Sequence, residues 1–169
     1  MKKVIIALVV IAFAAAFVSS AYAKSPIVQQ VTGGGWIMAA NMCEGEEAKK
    51  TFGFNAAERP DGTFVGNLEY VEHGPFGGED HGYPHVHGFE ITNLEIDGNI
   101  ATIYGNCWLN GDKGTIRTFK VTVMDVGEPG TYDTFGIQIP SINYYVWDEL
   151  GFSDPEHGGG NIQIHVPEP

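Results

Sequence analysis

Four of the six histidines fall within one short stretch, at His73, His81, His85 and His87. Residues two apart on an extended strand point to the same face. His85 and His87 can therefore meet at one ion, with His81, His73 or Asp80 completing the shell from a glycine-rich loop. Imidazole and carboxylate suit Zn, Cu, Ni or Fe, so this reading implies one divalent metal ion as cofactor. The competing reading is a solvated Gly/His loop at a strand entrance. A second cluster is acidic: Asp125, Glu128 and Asp133 share a loop with glycine turns. Oxygen donors in a flexible loop suit calcium, and a solvated acidic turn is the alternative. The third cluster is aromatic. Tyr144, Tyr145 and Trp147 could stack on sugar rings or contact a protein partner if exposed, or pack in the core if buried. His157-Gly158-Gly159-Gly160 looks like an oxyanion loop, but it means little without a G-x-S-x-G nucleophile, which the sequence lacks. Adjacent acids such as Glu79-Asp80 and Asp148-Glu149 point apart on strands and give no glycosidase geometry. No catalytic residue is assigned.

Strands must position these groups. After the first 23 residues the helical spacing of apolar side chains is absent. Period-two alternation replaces it, broken by Gly, Pro, Asn and Asp. Phe52 and Phe54 share a face, as do Phe64, Leu68 and Tyr70. So do Ala101, Ile103, Cys107 and Leu109; Phe119, Val121 and Val123; Phe135, Ile137 and Ile139; and Ile162, Ile164 and Val166. Asp97-Gly98 predicts a tight hairpin, and Asn110 to Gly114 a longer turn. Pro129-Gly130 suits the centre of a type II turn. The segment from Asn41 to Lys49 has room for one helical turn. About nine strands of this kind predict an all-β domain, an antiparallel β-sandwich or a closed barrel.

The N-terminus reads differently. Lys2 and Lys3 precede an uncharged apolar run from Val4 to Val18, and Ala21-Tyr22-Ala23 has the small residues of a cleavage site. Residues 1–23 are expected to be a secretory signal peptide. The run is shorter than the roughly 20 residues that span a bilayer. Residues 24–169 then form one secreted domain, periplasmic or extracellular, with no membrane span. The full chain carries 9 Lys+Arg against 21 Asp+Glu. Losing Lys2 and Lys3 makes the remainder still more acidic, which argues against a nucleic-acid partner. Export also favours a Cys43–Cys107 disulfide. Closing a loop of that size stabilises by about 4 kcal/mol in the chain-entropy model; two separate buried thiols are the alternative.

Several motifs line up in order: Val31-Thr-Gly-Gly-Gly-Trp36-Ile37, Phe52-Gly-Phe-Asn55-Ala56, Leu68 to Val71 with His73, Val86-His-Gly88 and Gly98 to Ile103. Gly127-Glu-Pro-Gly130 with Asp133-Thr-Phe135 and Gly159-Gly-Asn-Ile-Gln-Ile-His165 follow. The set resembles an uncharacterised family of small exported bacterial β-domains, found alone or within larger surface proteins. The resemblance spans nearly all of the chain after residue 23. It implies export and an all-β fold, and it brings no catalytic residues. His73, His87 and His165 match its pattern; His81, His85, Cys43 and Cys107 depart from it. The expected function is a non-catalytic surface or extracellular module, binding or structural, with a cell-surface protein or a polysaccharide as partner. A metal-binding protein using the His73–His87 loop, with hydrolytic or redox chemistry, is the alternative.

Overall fold

The computed structural model describes residues 27–40, 47–73, 84–130, 132–151 and 158–166. The expected signal peptide, His81 and Cys43 lie outside these residues.

Alternation is realised as nine strands: β1 (Gln29–Ala40), β2 (Glu47–Glu58), β3 (Phe64–His73), β4 (His85–Asp97), β5 (Ile100–Leu109), β6 (Asp112–Met124), β7 (Thr134–Ile139), β8 (Tyr144–Glu149) and β9 (Gly158–His165). Only a single-turn helix, Pro140–Ile142, interrupts them among the described residues. The strands form one antiparallel sheet in the order β8-β7-β6-β5-β4-β3-β2-β1-β9. Strands β1 to β8 run as a meander, and β9 returns to pair with the free side of β1. The architecture is all-β as expected, and the closed barrel is not formed, because β8 and β9 end the ladder as its two edges.

The sheet instead folds over, and its inner faces meet. Phe52 of β2 stacks on Phe135 of β7 with ring centroids 3.9 Å apart, and Tyr70 of β3 meets Tyr144 of β8. Leu68, Ile103, Val121, Phe135, Ile137 and Ile162 are buried in this core. Each such side chain contributes about 1.5–3 kcal/mol relative to exposure. The alternation phases hold in β3, β5, β6 and β7. They fade at the chain's end, where Ile164 is half-buried and Val166 exposed.

Two turns differ from expectation. The β5–β6 connection is only Asn110-Gly111, both with positive φ, as a tight type I′ hairpin requires. The turn after β6 closes from Gly130 N–H to Gly127 C=O at 2.8 Å, so its centre is Glu128-Pro129, joined by a cis bond, rather than Pro129-Gly130. Residues 47–49, which had room for a helical turn, belong to β2. Strand β4 carries register shifts at Gly88/Glu90 and Ile91/Asn93. An extra residue on one strand of a pair re-aims its side chain. Here Phe89 turns outward and stacks on Trp108 at 4.3 Å.

Candidate ligand-binding face

Alternation puts every second residue of β5 to β8 on the outer face, and the register aligns them in rows. One row is Tyr104, Lys120, Gln138 and Tyr145; the next is Thr102, Thr122, Gly136 and Trp147. Tyr145 and Trp147 are 44% and 49% exposed, unusual for rings of this size. Together with Lys120, Thr122, Gly136, Ile137 and Gln138 they line a groove of about 250 Å³. Gly136 forms its floor. A Cβ there would come within 2.9 Å of Trp147 Cδ1, so glycine is what admits the ring. Lys120 Nζ lies 5.8 Å from the centroid of the Tyr104 ring. The structure therefore divides the aromatic triad predicted from sequence. Tyr145 and Trp147 face outward, while Tyr144 turns inward to Tyr70 and Glu72. On the other side of β8 the same two rings border a shallow recess with Met38, Ala39, Glu47 and Asp148.

The histidine pair lies elsewhere on the outer face. His85 and His87 share one side of β4, as their spacing predicts, and both meet Glu69 of β3. His85 Nε2 is 3.3 Å from Glu69 Oε2, and His87 Nδ1 bonds Oε1. His87 also stacks on Trp108. His73 is separate and bonds Thr51 at 2.9 Å. Among the described residues, no three His, Cys, Asp or Glu side chains gather to hold a metal ion.

The carboxylates of the acidic loop, Asp125, Glu128 and Asp133, reach across to β9. β9 is an edge strand, and an edge exposes unpaired N–H groups. Asp133 Oδ2 accepts from Ile162 N–H at 2.7 Å, and Asp125 Oδ2 accepts from Ile164 N–H at 2.9 Å. Glu128 Oε1 accepts from the side chains of Asn161 at 3.0 Å and Gln163 at 2.6 Å. These two amides hold the Glu128 carboxyl below its ordinary range. Asp133 is fully buried and also accepts from Val126 N–H at 2.9 Å. Its pKa is raised, because burial outweighs those two donors.

One polar cluster escaped the sequence reading. Lys50 and Glu72 are buried inside the fold. Lys50 Nζ donates to Ala39 C=O at 2.5 Å and Ala48 C=O at 3.1 Å, and lies 3.5 Å from Glu72 Oε1. Tyr144 donates to Glu72 Oε2 at 2.5 Å and meets the Tyr70 hydroxyl. Burial lowers the Lys50 pKa and raises those of Tyr70 and Tyr144. The signal was present in the alternation. Lys50 is in phase with Phe52 and Phe54, and Glu72 with Leu68 and Tyr70.

Cys107 is a free thiol buried in β5, and burial pushes its pKa up to about 11. The thiolate is the reactive form. Cys107 is expected to resist a thiol reagent in the folded protein and to react once urea unfolds the unreduced chain. Failure to react after unfolding would indicate the Cys43–Cys107 bridge instead.

No family model, curated protein or solved structure matches the chain. No helix among the described residues is long and apolar enough to cross a membrane.

Proposed function

We propose that the protein is a secreted, non-catalytic binding module of the bacterial cell exterior, and that it takes a polysaccharide on the outer face of β6 to β8. The observation that carries this reading is the pair of exposed rings, Tyr145 and Trp147, set beside the Gly136 floor and ringed by Lys120, Thr122 and Gln138. Flat aromatic faces next to polar groups suit sugar rings, which present apolar C–H faces and hydroxyl edges. Resemblance to exported surface-protein domains and the N-terminal export signal support the location.

Affinity electrophoresis through gels containing single plant or microbial polysaccharides tests the reading. At least one polymer is expected to retard the protein, with chelator present throughout. Trp147→Ala is expected to weaken that retardation about tenfold, since an aromatic anchor contributes of order 1.5 kcal/mol or more. Equal retardation of the variant on every polymer would overturn the site.

The alternative, a transition metal at the His73–His87 loop, is favoured by the convergence of His85 and His87 on one carboxylate. It predicts that the purified protein carries about one transition-metal ion and loses it in His85→Ala/His87→Ala, which elemental analysis checks independently of the gels.

A further inference from the structure

The groove differs in charge from the protein that carries it. The chain has 21 acidic residues against 9 basic ones. Yet the groove is lined by Lys120, Thr122, Gly136, Ile137, Gln138, Tyr145 and Trp147, with no carboxylate among them. Among the described lysines only Lys50 is paired with a carboxylate, Glu72; Lys49 lies over Trp36 and Lys113 over Trp108, as Lys120 lies over Tyr104, but of these only Lys120 lines the groove. Lys120 is half-buried, and among the described residues it has no carboxylate partner. Its neighbour is the Tyr104 ring, which holds the ammonium without neutralising it.

Lys120 also has a defined place in the row. It pairs across the sheet with Tyr104 on one side and Gln138 on the other, and Tyr145 follows Gln138. Neighbouring strands are about 4.8 Å apart, so Tyr104 and Tyr145 stand roughly 14 Å apart with the ammonium between them. The arrangement offers a ring platform at the β8 end, an amide and a hydroxyl for sugar hydroxyls, and one positive charge beside them.

We infer that the polysaccharide taken by this face is an anionic one, whose sugar rings stack on Trp147 and Tyr145 and whose carboxylate or sulfate group pairs with Lys120. This rests on the binding-module reading above and names the class of ligand for it. The anion supplies the partner that the protein withholds from Lys120. At physiological ionic strength the Debye length is about 8 Å. Exposed charges farther off than that are largely screened from a ligand seated in the groove; Glu47 and Asp148 border the same two rings on the other side of β8.

The test compares polygalacturonate, dextran sulfate and neutral xylan as gel-embedded polymers at physiological salt, with wild type, Lys120→Met, Lys120→Arg and Trp147→Ala. The wild type is expected to bind at least one anionic polymer more tightly than xylan. The polygalacturonate and dextran sulfate arms separate carboxylate from sulfate recognition. Lys120→Met is expected to lower the anionic-to-neutral affinity ratio about fivefold, the scale of one partly exposed ion pair. Lys120→Arg is expected to keep most of the ratio. An unchanged ratio in Lys120→Met, or tighter wild-type binding to xylan, would overturn the inference while leaving the binding module intact if Trp147→Ala still loses affinity. Binding that Trp147→Ala does not alter on any polymer, or no binding at all, would overturn both.

Discussion

Lys50→Met is expected to cost about 3–5 kcal/mol of stability, measured by urea unfolding. The reason lies in what the substitution leaves behind. Lys50 is the only positive group within 4 Å of Glu72 among the described residues, and both side chains are fully buried. Methionine fills similar space but strands the carboxylate in the interior, and it removes the donor to Ala39 and Ala48 C=O. Lys50→Met combined with Glu72→Gln is expected to recover a large part of the loss, because neither charge then remains. A loss below about 1 kcal/mol in the single variant would contradict the buried pair. The same cluster sets the alkaline limit. Tyr70 and Tyr144 have folded pKa values raised above 10.0 by burial, so below pH 10 their contribution is fully present. As pH rises past that value the unfolded state releases protons that the folded state keeps, and stability falls. Lys50 acts in the opposite sense between its lowered value and 10.5, but with one proton against two. Phenolate absorbance is expected to show both hydroxyls ionising only with global unfolding, as residues with no access to water.

Asp133→Ala is expected to cost about 3 kcal/mol, from two N–H groups that each lose an acceptor at about 1–3 kcal/mol when buried. Val126 N–H and Ile162 N–H both end on this one carboxylate. Asp133→Asn keeps one acceptor oxygen but turns an amide donor toward the other N–H, so it is expected to fall between alanine and wild type. Thermal melts measure the loss. Size-exclusion chromatography adds an independent readout, because freeing the Ile162 edge should promote self-association in Asp133→Ala. A monomeric variant with unchanged stability would show that the loop does not protect β9.

The sequence made the strands legible wherever alternation was clean. Leu68 and Tyr70, Ile103 and Cys107, Val121 and Val123, and Phe135 and Ile137 all fall on the buried face to which their spacing assigned them. Two kinds of feature stayed hidden. The first is polar residues in core phase. Lys50 and Glu72 obey the pattern, but their charge masked it, and only the neighbouring strand shows that each has a partner. The second is pairing across long sequence distances. Asp133 and Ile162 are 29 residues apart and Asp125 and Ile164 are 39. No local spacing predicts which backbone N–H groups these carboxylates hold. The candidate groove was half legible. Tyr145 and Trp147 stand out in the sequence only as part of a triad with Tyr144, which the fold turns inward, and Lys120, Thr122, Gly136 and Gln138 join them only through the β6–β7–β8 register.

The carboxylates on β9 also constrain how copies of this chain can come together. Growth of a sheet from molecule to molecule needs two open edges on each, one to receive and one to offer. With the β9 side taken by Asp125 and Asp133, backbone pairing can extend this sheet at one end at most. Strand-to-strand addition thus stops at a pair related by a two-fold axis, and the domain acts as a chain terminator rather than a monomer for fibres.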